Sequence, residues 1–159
     1  MNTPLTRRGW LQATLAASAA LGSHPAQACE YFAPTLRVTH PWTRAAAADA
    51  AFAVLGMRFD EVTEDDQLLH VQTPVAAAVV YVPGGLASPF AAVRGLPLDI
   101  PAGRETLLGS ADLGHHGPHL RLLGLTQDLA VGRSYPLTLI FKKGGTVKAL
   151  LSVDYARFS

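Results

Sequence analysis

From about residue 35 onward the chain alternates between short apolar stretches and breaks rich in glycine and proline. The apolar stretches fall at 35–39, 51–59, 68–72, 77–82, 96–100, 105–108, 119–123, 135–142 and 146–155. Each is strand-sized, and none holds a helical period for long. Only 44–51, with its alanine run, reads as either a helical turn or a loose loop. Pro83-Gly84-Gly85, Pro101-Ala102-Gly103, Gly117-Pro118 and Gly144-Gly145 separate the stretches. Glycine supplies positive φ there and proline fixes φ, so these are turns with a backbone reason. Short strands at regular spacing predict a β-sandwich or barrel. The last hairpin adds a period of two, with Leu137, Leu139 and Phe141 on one face and Thr138, Ile140 and Lys142 on the other. The expected core residues are Trp42, Phe52, Leu55, Leu122, Leu139 and Phe141.

With 159 residues and 49% hydrophobic composition, the chain can build one two-sheet core. It begins with what reads as an export signal over 1–28: Arg7 and Arg8, an apolar core over 11–22, and the small-x-small site Ala26-Gln27-Ala28. That apolar core is too short to span a bilayer. Thr6-Arg7-Arg8-Gly9-Trp10-Leu11-Gln12 fits a twin-arginine signal, and an ordinary secretory signal is the other reading. Either one delivers a single domain, 29–159, outside the cytoplasm, in the periplasm. Without the signal, Lys plus Arg falls from 13 to 11 against 12 acids, a net charge of −1, which is no nucleic-acid footprint. Glu61, Glu64, Asp65 and Asp66 read as a solvated acidic loop. One cysteine, Cys29, excludes an internal disulfide. As the first residue after the signal it invites lipidation, against which Ala26 stands where lipid-modified signals usually carry leucine or a similar residue.

Chemistry concentrates in Gly114-His115-His116-Gly117-Pro118-His119, which holds three of the six histidines. Imidazole suits Cu(II), Zn(II) or Ni(II) without thioether help. His115, His116 and His119 are therefore the candidate metal ligands, with His40 or Asp112 available to complete a set. The competing reading is an exposed polar loop with His119 hydrogen-bonded at a strand end, since nothing in the sequence supplies the partners that orient metal-bound histidines. His70, between Leu69 and Val71, reads as a strand residue facing solvent. There is no nucleophile elbow, phosphate-binding glycine loop or His-Glu-x-x-His, so the chain does not read as an enzyme.

Several ordered segments resemble the periplasmic copper chaperones of the PCu(A)C type: Leu36-Arg37-Val38, Pro41-Trp42-Thr43-Arg44, Thr73-Pro74-Val75-Ala76, Leu98-Asp99-Ile100-Pro101-Ala102-Gly103, His119-Leu120 with Leu123-Gly124-Leu125, Pro136-Leu137-Thr138-Leu139 and Lys143-Gly144-Gly145-Thr146. The resemblance implies an all-β, cupredoxin-like β-sandwich of Greek-key type. It also implies copper as cargo and a periplasmic copper acceptor, such as a respiratory oxidase, as partner. It further implies a His and Met ligand set, most of which fails to transfer. The family's His and following Met fall at about Val82 and Gly84, further Met positions near 90–92, and its final His-x-Met pair on His119 and Arg121. Only His119 carries over, and after the signal Met57 is the sole methionine. In a strand His119 and Arg121 share a face, so a fixed cation stands beside the surviving ligand. At about 4 Å and an effective dielectric of about 20, a unit charge there opposes a metal by roughly 4 kcal/mol before screening. Two functions follow as expectations. One is a copper-chaperone-like protein binding Cu(II) at His115, His116 and His119. The other is a metal-free periplasmic interaction module on the same sandwich.

Overall fold

A computed structural model describes residues 29–84, 93–109 and 117–154. Those residues form ten strands and no helix: β1 Glu30–Phe32, β2 Arg37–Arg44, β3 Ala53–Asp60, β4 Asp66–Gln72, β5 Ala76–Val82, β6 Leu98–Ile100, β7 Thr106–Leu108, β8 His119–Leu125, β9 Ser134–Phe141 and β10 Gly145–Asp154. They hydrogen-bond in the order β5-β8-β3-β2-β10-β9-β4-β6, with β1 added to β2 and β7 to β3. Every pairing is antiparallel except β2 with β10, where Trp42 lies opposite Ser152 and Arg44 opposite Asp154. The path curls into an almost closed, barrel-like wall of strands, the sandwich or barrel that the short, regularly spaced strands predict.

The period of two explains the core. Leu137, Leu139 and Phe141 of β9, Leu55, Met57 and Phe59 of β3, and Leu120 and Leu122 of β8 all point inward and are buried. Phe59 meets Phe141 edge to face at 5.7 Å between ring centroids, the arrangement that the ring quadrupoles favour. Burying one such side chain contributes about 2 kcal/mol.

Two expected core residues are corrected. Trp42 and Phe52 are only half-buried, because both belong to surfaces outside the central cluster. The register of β2 against β3 slips between Thr39 and Trp42, where His40 takes a positive φ of 48°. Trp42 then lies over Gly56, so close that a Cβ there would come within 2.5 Å of the indole. Residues 44–51 form no helix. Ala46 bridges Leu129 through both backbone groups, and the Ala48 N–H donates to Asp128. The acidic run is also not all solvated, for Asp66 is buried. It accepts from the Thr35 hydroxyl and from the N–H groups of Gln67, Lys143 and Gly144 at 2.7–2.8 Å. That carboxylate clips the β9–β10 turn to the start of β4.

Candidate metal centre

Strand alternation places the surviving histidine on the face of β8 away from the core. Leu120 and Leu122 point into the barrel, so His119 and Arg121 point out. Register puts Val82 directly opposite His119, and Val80 opposite Arg121 on the β5 side. On the β3 side Val54 faces Arg121. Directly opposed residues share a face, so Val54, Val80, Val82, His119 and Arg121 form one outward cluster. It is nonetheless dry at one end: His119 is 0% exposed and Val82 1%, and Val82 is absent from the central core.

Both ring nitrogens of His119 are engaged. Nδ1 lies 2.7 Å from the carbonyl oxygen of Gly117. A carbonyl only accepts, so Nδ1 carries the proton. Nε2 takes a hydrogen bond from Arg121 Nε at 3.1 Å, and guanidinium only donates, so Nε2 presents its lone pair. The ring is thus the neutral Nδ1–H tautomer. A backbone carbonyl holding one imidazole nitrogen is a device that orients histidines for metal binding, and no side-chain motif announces it. The Arg121 guanidinium is held from its other side by the Phe52 ring, with Cζ 4.2 Å from the centroid, within cation–π range. Register sets Val54 and Val80 on either side of Arg121. Long cationic side chains commonly lay apolar stems along such surfaces.

Of the predicted ligands, the structure places His119 in this buried cluster. His115 and His116 lie outside the described residues, as does Asp112. The segment that carries them is tied at its base, where the Gly109 N–H donates to the Pro118 carbonyl at 2.8 Å. Gly109 has φ +67°, and a Cβ there would meet the Gly56 backbone at 2.8 Å, so this close approach requires glycine. His40 is committed elsewhere, with Nε2 2.7 Å from Asp154 Oδ2 and its backbone N–H donating to the Cys29 carbonyl. His70 faces solvent, as expected. Met57 is core, 1% exposed. Among the described residues no three His, Cys, Asp or Glu side chains group to hold a metal.

A thioether-rich copper set does not fit these residues. Val82, opposite His119, has no donor atom, and Arg121 puts a cation on the remaining lone pair. A more open cleft of about 440 Å³ lies at the other sheet end, lined by Asp65, Asp66, Asp99, Lys142 and Lys143. Its acids are engaged by the fold: Asp65 accepts from the Ala102 N–H, Asp99 from the Gln67 side chain, and Asp66 from four donors. It is a structural clip rather than a second candidate centre.

An all-strand, cupredoxin-like domain with one oriented histidine at the β5–β8 end defines the class. The chain belongs to the LpqE-like lipoprotein family, whose pattern matches residues 36–153. No curated protein matches it. Among solved structures it is similar to the copper-bound PCuAC domain from PmoF2, at 23% identity over 79% of this chain and 97% of that one, with a TM-score of 0.64. It is similar also to the apo PCuAC domain from PmoF1, at 25% identity over 79% and 98%, TM-score 0.65. A third is the Cu(I) form of DR1885 from Deinococcus radiodurans, at 22% identity over 94% of each chain, TM-score 0.60. These likenesses bear out the PCuAC-type fold expected from the sequence. Among the described residues, no helix is long and apolar enough to cross a membrane.

Proposed function

We propose that this is an exported, copper-chaperone-like protein, with a leader over 1–28 and a binding domain over 29–159. In this reading it takes Cu(II) through the segment carrying His115, His116 and His119 and passes it to a periplasmic acceptor such as a respiratory oxidase. The observation that carries it is the His119 ring, buried and fixed in the tautomer that turns its Nε2 lone pair toward a cationic group, here the Arg121 guanidinium that copper would have to displace. The copper-bound and Cu(I) forms of the similar domains support the choice of metal, and imidazole ligands favour Cu(II) over Cu(I) when methionine is lacking.

The test is a competitive titration of the protein with Cu(II), Cu(I) and Zn(II), beside a variant with His115, His116 and His119 all changed to Ala. Tight Cu(II) binding that disappears in the variant is the expected result. Equal binding by the two proteins would remove the site.

One observation favours a second reading. Arg121 already satisfies His119, so the domain is complete without metal and its loop can serve as a partner surface. Capture of a periplasmic partner that persists in chelator, and is lost on Arg121→Glu, would be its mark.

A further inference from the structure

The position where the PCu(A)C resemblance puts a methionine is filled by the Arg121 guanidinium, and its contacts are those a bound cation would make. It faces the one lone pair that His119 presents, at 3.1 Å, and lies 4.2 Å over the Phe52 ring. Cross-strand pairing sets Val82 beside His119, so the described residue directly opposite offers methyl groups and no donor atom. We propose that Arg121 is the built-in occupant of the metal position and the residue that sets metal affinity. Its guanidinium takes the His119 Nε2 lone pair that copper would take, and metal gains that nitrogen only by displacing it.

The inference rests on the copper-carrier reading for its physiological meaning. The geometry does not depend on that reading, because it needs only Phe52, Val82, His119 and Arg121. A histidine nitrogen cannot serve a guanidinium N–H and a metal at once, since neutral imidazole has a single lone pair. Displacement also leaves the positive charge close to the arriving ion. The Coulomb cost at about 4 Å in an effective dielectric of about 20 corresponds to roughly a thousandfold in affinity, which solvent screening at the partly exposed Arg121 reduces.

The experiment compares Arg121→Met and Arg121→Gln with the parent by Cu(I) and Cu(II) competition. In parallel, the ¹⁵N shifts of the His119 ring are recorded in the metal-free proteins. Arg121→Met is expected to bind copper at least about tenfold more tightly. The gain should vanish when His119→Gln is added, and His119 Nε2 should shift once its donor is gone. Arg121→Gln, which keeps a donor and loses the charge, should fall between, and it keeps the test intact if the methionine variant folds poorly. Unchanged copper affinity in both variants, or a gain that survives His119→Gln, would overturn the proposal. If instead the triple His→Ala protein binds Cu(II) like the parent while Arg121→Met still gains through His119, the carrier segment is wrong and the role of Arg121 stands.

Discussion

Two buried polar groups lie in different parts of the barrel, and they differ in how replaceable their partners are. Asp66 is a carboxylate met by one hydroxyl and three backbone N–H groups from three separate segments. Those donors are fixed by strand pairing and the β9–β10 turn, so nothing else can take their place. His119 is neutral, and one of its partners among the described residues, Arg121, is the head of a long side chain that can swing away. Burial of a polar group alone therefore says little about function. A saturated site built from backbone is structure; a site closed by one movable side chain is a place where something else can bind.

The sharpest way to break this contrast is at the saturated site. Asp66→Asn places an NH₂ group among donors, leaving at least one buried donor without an acceptor. The expected loss is about 3 kcal/mol, or about 10 °C in melting temperature for a domain of this size. Thermal denaturation followed by circular dichroism reads it directly. A loss below about 1 kcal/mol would show that Asp66 is not the clip its geometry describes.

Acid should act through the same group. Burial pushes the Asp66 carboxyl up, but the Thr35 hydroxyl and the Lys143, Gln67 and Gly144 N–H groups outweigh it and hold the carboxyl below its ordinary value. Asp60 behaves alike, with burial opposed by the hydrogen bond from Arg37 and the charges of Arg37 and Arg58. A folded-state value below the unfolded one means stability that is fully present above the unfolded carboxyl range, about pH 4. It is lost as pH falls through the folded values. The melting temperature should therefore hold from neutral to about pH 5 and drop steeply below about pH 4, with a shallower drop in Asp66→Asn. A stability that rises on acidification would contradict both assignments.

At the exchangeable site the structural cost should be smaller. Arg121→Met removes one hydrogen bond to a neutral ring and one cation–π contact, and leaves His119 Nε2 without its donor. Together these amount to about 1–2 kcal/mol. Added Cu(II) should recover part of that loss in the same melting experiment, because a ligand that binds only the folded state stabilises it by mass action. A loss as large as that of Asp66→Asn would mean Arg121 is a structural fixture and the contrast fails.

The strands were legible because turn residues and the period of two agree along most of the chain. Each of the nine predicted stretches overlaps an observed strand. β1 escaped because Glu30–Phe32 is three residues without an apolar alternation; Phe32 is 69% exposed, and Tyr31 both packs against the core and accepts the Leu150 N–H at its hydroxyl. Trp42 and Phe52 were misplaced because hydrophobicity does not say which side of a barrel wall a ring covers. The bulge at His40 shifts the β2 register, and Phe52 serves a guanidinium rather than the core. At the site, the pairing of His119 with Arg121 could be expected from their spacing of two, though only as repulsion toward a metal. That the arginine instead donates to the ring depends on the Gly117 carbonyl fixing the proton on Nδ1. A backbone carbonyl carries no side-chain signature. Asp66 was hidden for the same reason, since three of its four donors are main-chain N–H groups.

The smallest effect sharpens the contrast most economically. Lys143 touches the saturated site in two ways: its backbone N–H donates to Asp66 Oδ1 at 2.8 Å, while its ammonium pairs with Glu64 at 2.8 Å in solvent. That hydrogen bond with Glu64 raises the Lys143 pKa above its ordinary value against desolvation, with the charges of Glu64, Asp65 and Asp66 adding to the rise. Exposed ion pairs of this kind lose most of their attraction to screening and side-chain entropy. Lys143→Ala deletes the ammonium and keeps the N–H, so it should leave the melting temperature and its acid dependence unchanged in moderate salt. A drop comparable to that of Asp66→Asn would place the stabilisation in surface charge instead of in the backbone cage, and a carboxylate whose main partner were a mobile lysine head would then belong with His119 among the exchangeable sites.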